Sequence, residues 1–104
     1  MDRFDLIVIG GGPGGYLAAE RAAGGGLKTA VFEKANLGGV CLNEGCIPTK
    51  TLLNCAKLYR HATESESFGV TAENVTFDHA KVIERKKKVV KTLVGGVGAT
   101  MKAC

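Results

Sequence analysis

A chain of 104 residues with 45% hydrophobic side chains is long enough for one packed domain and too apolar for a disordered segment. Lysine and arginine exceed aspartate and glutamate by 14 to 10, a net charge of +4, which suits an anionic ligand without making the chain a nucleic-acid binder. No apolar run approaches the length of a membrane span or secretory core, so a cytoplasmic protein with no membrane partner is expected. In that setting four cysteines point to metal or redox chemistry rather than a disulfide framework.

Phe4 to Ile9 is a short apolar run stopped by Gly10 and reads as a buried parallel strand. A glycine cluster follows, then a small-residue helix from Tyr16 to Ala23, ended by Gly24-Gly25-Gly26, one of which can take the left-handed cap position. Thr29 to Phe32 is a second buried strand closed by Glu33. Strand, glycine turn, helix and strand make a βαβ unit with a right-handed crossover. From Pro48, a residue suited to a first helical turn, Leu52, Leu53, Ala56 and Tyr59 recur at helical spacing. Residues 64–74 read as a polar connection, and a final helix capped by Asp78 extends to about Met101. Ile83, Val90, Val94, Val97 and Met101 form its apolar stripe. Arg85, Lys86, Lys87, Lys88 and Lys91 lie off that stripe and read as a solvated face, since few aromatics interleave. Gly95, Gly96 and Gly98 either weaken this helix or let another backbone approach it.

Two motifs carry chemistry. Gly10-Gly11-Gly12-Pro13-Gly14-Gly15 satisfies G-x-G-x-x-G through Gly10, Gly12 and Gly15, with a strand before and a helix after. Gly10 permits the tight turn, Gly12 admits a pyrophosphate to the backbone, and Gly15 lets helix and strand pack, with the phosphates at the helix N-terminus. Glu33, 18 residues beyond Gly15, stands where a carboxylate binds ribose hydroxyls. The second motif is Cys41 and Cys46, five residues apart. A regular helix would hold their Cα atoms roughly 8.6 Å apart, whereas a disulfide requires less than about 7 Å. If they pair, the helix must be broken between them, and Gly45 and Pro48 allow a break and a restart. Cys46 would then precede a helix starting at Pro48, whose positive end favours a thiolate. The spacing alone leaves a redox pair, two inert buried thiols and a zinc site open, the last poorly served by C-x4-C and isolated His61 and His79. Cys55 lies on an apolar helix face and reads as a core residue; Cys104 has no assigned role.

Gly38 to Leu53, GGVCLNEGCIPTKTLL, resembles the active-site segment of the flavin-dependent pyridine nucleotide–disulfide oxidoreductases. The Gly10–Gly15 loop and Glu33-Lys34 fit the same family. Leu42, Ile47 and Thr49 match the branch that oxidises dihydrolipoyl groups, whereas the glutathione and mercuric reductase branches usually carry valines at the positions of Leu42 and Ile47. The resemblance implies an α/β fold, a partial Rossmann-like FAD-binding domain over residues 1–104, with a βαβ unit followed by helices. It implies that Gly10, Gly12, Pro13, Gly14, Gly15, Glu33, Lys34, Gly39, Val40, Cys41, Cys46 and Lys50 contact FAD. It further implies that Cys41 exchanges with the dithiol substrate, that Cys46 faces the flavin ring, and that Lys50 favours the reduced flavin. Electrons would pass from the lipoyl groups of 2-oxo acid dehydrogenase complexes through a Cys41–Cys46 disulfide and FAD to NAD⁺. The family's second glycine fingerprint and its histidine–glutamate base have no counterpart in this sequence. The NAD-binding and dimerisation domains are therefore expected to be absent, the chain to be inactive alone, and its uncovered surface to drive self-association. The alternatives are another reductase of the family, of mercuric or glutathione type, or a non-catalytic dinucleotide-binding module.

Overall fold

In the computed structural model, which describes residues 2–103, Leu6–Ile9 forms β1 and Thr29–Phe32 forms β2. They pair in parallel, with Leu6 opposite Thr29 and Ile9 opposite Phe32. The second strand has the expected bounds; the first starts at Leu6 rather than Phe4. The two preceding residues are engaged otherwise. Asp5 N–H donates to the Lys28 carbonyl at 2.8 Å and Lys28 N–H returns to the Asp5 carboxylate at 2.9 Å, while the Phe4 ring lies with its centroid 5.0 Å from Lys28 Nζ, a cation–π contact.

The helix α1, Pro13–Gly24, joins the strands and begins three residues before the expected Tyr16. Proline at its first position has no N–H to leave unpaired, so the helix can start on the glycine loop itself. At its other end Gly26 is left-handed, with φ 95°, and the N–H groups of Gly25, Gly26 and Leu27 return to carbonyls of residues 21–23. Where α1 crosses β1, a Cβ on Gly15 would collide with the Gly10 carbonyl and stand 3.3 Å from Val8 Cγ1. Only glycine allows this approach.

Three further helices follow: α2 (Gly39–Asn43), α3 (Cys46–Thr63) and α4 (His79–Ala103), with a 3-10 turn at Ser65–Phe68. The sequence reading lacked α2 and placed the start of α3 at Pro48. The chain restarts its helix directly after Gly45, so Pro48 is the third residue of α3, within the turn whose N–H groups have no helical acceptor. Cys46 is therefore the first residue of α3 rather than a residue before it. At the start of α4, Asp78 Oδ1 accepts the Lys81 N–H at 3.3 Å, as its capping role requires. The helix ends at Ala103, two residues past the expected Met101. It packs on α3 and returns across α1 and α2. Ile83, Val90, Val94, Val97 and Met101 are half-buried on that side; Arg85, Lys87, Lys88 and Lys91 are exposed, whereas Lys86, expected on the solvated face, is half-buried. Cys104 lies outside the described residues.

The architecture is α/β and Rossmann-like, as the sequence implied. The strands are parallel but not buried as expected: Leu6, Val8 and Val31 are half-buried, while Ile7, Ile9 and Phe32 are exposed, because the sheet of described residues has only two strands and that face is uncovered. Among the described residues the buried apolar side chains are Ala19, Leu42 and Pro48.

Candidate functional site

The glycine loop leaves β1 through Gly10, whose φ of 102° is open to glycine and costly for other residues. Gly10 N–H still donates to the Phe32 carbonyl at 2.8 Å, so the loop starts in register with the sheet. The next N–H, of Gly11, donates to Glu33 Oε2 at 2.6 Å, and Ala35 N–H donates to Oε1 at 3.3 Å. Glu33 is thereby fixed at the carboxyl ends of the two strands, beside the loop. Together with Ile9, Gly10, Phe32 and Lys34 it lines an open cleft of about 550 Å³. Ligands of open α/β sheets bind at this end of the strands. A Cβ on Gly12 would meet nothing closer than Gly39 Cα at 3.8 Å, and one on Gly14 would meet nothing within 4 Å. The space at the start of α1 is thus left clear by glycine rather than filled by protein, which fits a group needing close backbone approach.

The cysteine segment is docked on this loop. Gly38 and Gly39 are both left-handed, with φ of 100° and 63°, and they turn the chain back so that Gly38 N–H donates to the Gly11 carbonyl at 2.8 Å. A Cβ on Gly39 would fall 2.8 Å from Gly12 Cα, so the two backbones touch. Cys41 then lies on α2 and Cys46 opens α3, with the helix broken at Glu44 and Gly45. This is the break that pairing of the two cysteines would need. Both cysteines are free thiols, Cys41 half-buried and Cys46 exposed. The Cys41 pKa is raised above the ordinary thiol value. The neighbouring Cys46 side chain, which favours the protonated Cys41 thiol, is the main cause, and burial adds to it. The Cys46 backbone N–H and the Lys50 ammonium pull the other way, which places exposed Lys50, one turn into α3, within electrostatic reach of the pair.

The structure thus gathers Gly10, Gly12, Gly39, Cys41, Cys46 and Lys50 at one end of the sheet, with Glu33 bound to the loop and exposed Lys34 on the adjoining cleft. Val40 is exposed on α2, beside Gly39. Cys55 is not a core residue: it is half-buried in a separate cleft of about 300 Å³ between α3 and α4, lined also by Leu52, Tyr59, Phe77, His79 and Val82. The two helices do not close over it. Among the described residues no three His, Cys, Asp or Glu side chains stand together as a metal site. One residue of the site escaped the sequence reading. Asn43, between the cysteines, donates through Nδ2 to the carbonyls of Leu37 at 3.1 Å and Gly39 at 2.9 Å. Its signal was an asparagine directly before a helix break.

Residues 4–103 match the family model described as pyridine nucleotide-disulphide oxidoreductase. The chain belongs to this family. It is 57% identical over 98 residues to a dihydrolipoyl dehydrogenase of Bacillus subtilis (strain 168), which accounts for 94% of this chain and 21% of that protein. A dihydrolipoyl dehydrogenase of Geobacillus stearothermophilus is 55% identical over 98 residues, with the same coverage. The solved Cu(II) complex of the HOCl-induced flavoprotein disulfide reductase RclA from Escherichia coli superimposes with a TM-score of 0.75 at 30% identity. That superposition covers 96% of this chain and 19% of RclA. As a member of the pyridine nucleotide–disulfide oxidoreductases, the chain thus spans about a fifth of the length of the relatives it matches.

Proposed function

We propose that this chain supplies the redox dithiol and the ADP-binding half of the FAD cradle of a dihydrolipoyl dehydrogenase. The observation that carries the reading is the contact of Gly39 with Gly12, which seats the dithiol helix directly on the dinucleotide loop. The clear space at Gly12 and Gly14 fits a pyrophosphate, and Glu33, held by the Gly11 N–H, fits a ribose diol. FAD, when bound, supplies the two-electron acceptor between the dithiol and NAD⁺.

The chain's own residues perform a thiol–disulfide exchange. A dihydrolipoyl thiolate attacks the Cys41 sulfur of the oxidised pair, and Cys46 leaves as the thiolate. The second lipoyl thiol then displaces Cys41, giving the cyclic lipoyl disulfide and two reduced cysteines. Two electrons have moved from lipoyl to protein, and Lys50 offers a positive charge to the thiolates formed. The lipoyl groups of 2-oxo acid dehydrogenase complexes are the proposed partners, in a cytoplasmic setting. No described helix is long and apolar enough to cross a membrane. Turnover with NAD⁺ is assigned to the whole protein rather than to this chain alone.

The test is flavin retention. The chain is incubated with FAD, freed of unbound flavin by gel filtration, and its visible spectrum compared with that of Gly12→Ala. The added methyl is tolerated by the fold, with its nearest neighbour at 3.8 Å, but occupies the pyrophosphate approach. Retention by the parent chain and a loss of at least about tenfold in the variant are expected, the change for about 1.4 kcal/mol of lost contact. Equal retention by both, or none by the parent chain, would overturn the assignment of the loop.

A further inference from the structure

A pair of thiols is useful for exchange only if the backbone holds the sulfurs within bonding reach in both redox states. That task falls here on α2, a helix of five residues with no side-chain N-cap. Isolated helices of this length do not persist. Its first backbone hydrogen bond, Leu42 N–H to the Gly38 carbonyl, is long at 3.4 Å. The C-terminal end of the helix is closed by Glu44 N–H on the Val40 carbonyl at 2.8 Å, but the reversal at its start is held by a side chain. Asn43 Nδ2, which carries two donors, lies within hydrogen-bond distance of both the Leu37 and the Gly39 carbonyls, at 3.1 and 2.9 Å. These acceptors flank the left-handed Gly38 and lie two residues apart, so the amide bridges the whole reversal. Gly38 is the residue that donates to Gly11, and Gly39 is the residue that touches Gly12.

Resting on the dithiol reading above, we infer that Asn43 is a positioning residue: its amide clips residues 37–39 to the end of α2 and so holds the Cys41 and Cys46 thiols within disulfide-forming reach against the dinucleotide loop. Asparagine suits the task because two donors must leave one atom. Aspartate, nearly the same shape, has none and would set a carboxylate against two carbonyl oxygens. Serine keeps one donor, which can reach the carbonyl four residues back, as Thr51 Oγ1 does to Ile47 at 2.8 Å.

The test is the equilibrium constant for closing the Cys41–Cys46 disulfide in glutathione buffers. Oxidised glutathione takes two electrons from the thiols, the disulfide forms, and two reduced glutathione molecules are released. The fraction closed is read by alkylation and mass spectrometry. Asn43→Asp is expected to lower the constant about tenfold or more, as loss of two side-chain hydrogen bonds implies. Asn43→Ser should fall between, and Thr51→Val, which removes a helix hydrogen bond away from the turn, should stay within about twofold. Asn43→Asp within twofold of the parent chain would overturn the inference. Circular dichroism identifies a variant that has not folded; if the Asp variant has not, Asn43→Ser decides, a constant equal to the parent's rejecting the clip. A parent chain that forms no internal disulfide would instead reject the dithiol reading itself.

Discussion

At Cys41 the neighbours decide when a thiol becomes a nucleophile. The neighbouring Cys46 side chain and burial both hold its proton, and Lys50 opposes them more weakly. Folding therefore prefers the protonated thiol. Its contribution to stability is complete below the pKa of the unfolded thiol and is lost as pH rises through the higher folded value. The reduced chain should lose stability in alkaline buffer by a component that the oxidised chain lacks. The sharper check is kinetic. Cys46→Ala removes the main cause of the shift, so the pH–rate profile for alkylation of Cys41 by iodoacetamide should move to lower pH. Lys50→Gln should move it to higher pH. A profile unmoved by Cys46→Ala would show that the two sulfurs are not in contact.

Between elements, the same substitution has opposite signs according to what faces the new methyl. Gly95 and Gly96 lie within α4, and a Cβ at either meets nothing within 4 Å. The choice left open by the sequence is thereby resolved: among the described residues no second backbone approaches them, and they weaken their helix. Gly95→Ala and Gly96→Ala should each stabilise the chain by about 0.5–1 kcal/mol. Gly39→Ala should destabilise it by about 1–3 kcal/mol, because φ is 63° and the new carbon would fall 2.8 Å from Gly12 Cα. Urea midpoints followed by circular dichroism check both signs. This contrast also marks what was legible beforehand. The βαβ unit was readable because its strands are continuous apolar runs and its turn needs glycine at fixed spacing, and β2 has the expected bounds. That a helix break must lie between the cysteines if they pair followed from helix geometry. The helix α2 was not readable, since a five-residue helix is too short to show periodicity. It exists through two left-handed glycines and the amide of Asn43, which are tertiary in effect though local in sequence.

For the molecule as a whole, surface is the governing quantity. A compact monomer of 10.8 kDa would expose about 5,500 Å²; this chain exposes 7,910 Å². Its radius of gyration is 19.6 Å against about 13 Å for a compact domain of this length, and its extents are 66 × 25 × 18 Å. Part of the excess is apolar and contiguous. Ile7, Ile9 and Phe32, at 55%, 88% and 60% exposure, share the sheet face that alternates with Leu6, Val8 and Val31. Parallel sheets are stable when both faces are covered, and an uncovered apolar face drives association. The chain alone should therefore associate reversibly, its mass in sedimentation velocity rising with concentration. Ile7→Thr with Ile9→Thr keeps the β-branching that suits a strand and removes much of the apolar area. The double variant should sediment near 10.8 kDa with an unchanged circular dichroism spectrum. Association that persists in it would move the driving surface elsewhere, to the exposed Leu53, Leu58 and Phe68 of the helical half. A parent chain that stays monomeric at every concentration would mean that the sheet face is covered in solution by movement of the chain's own helices.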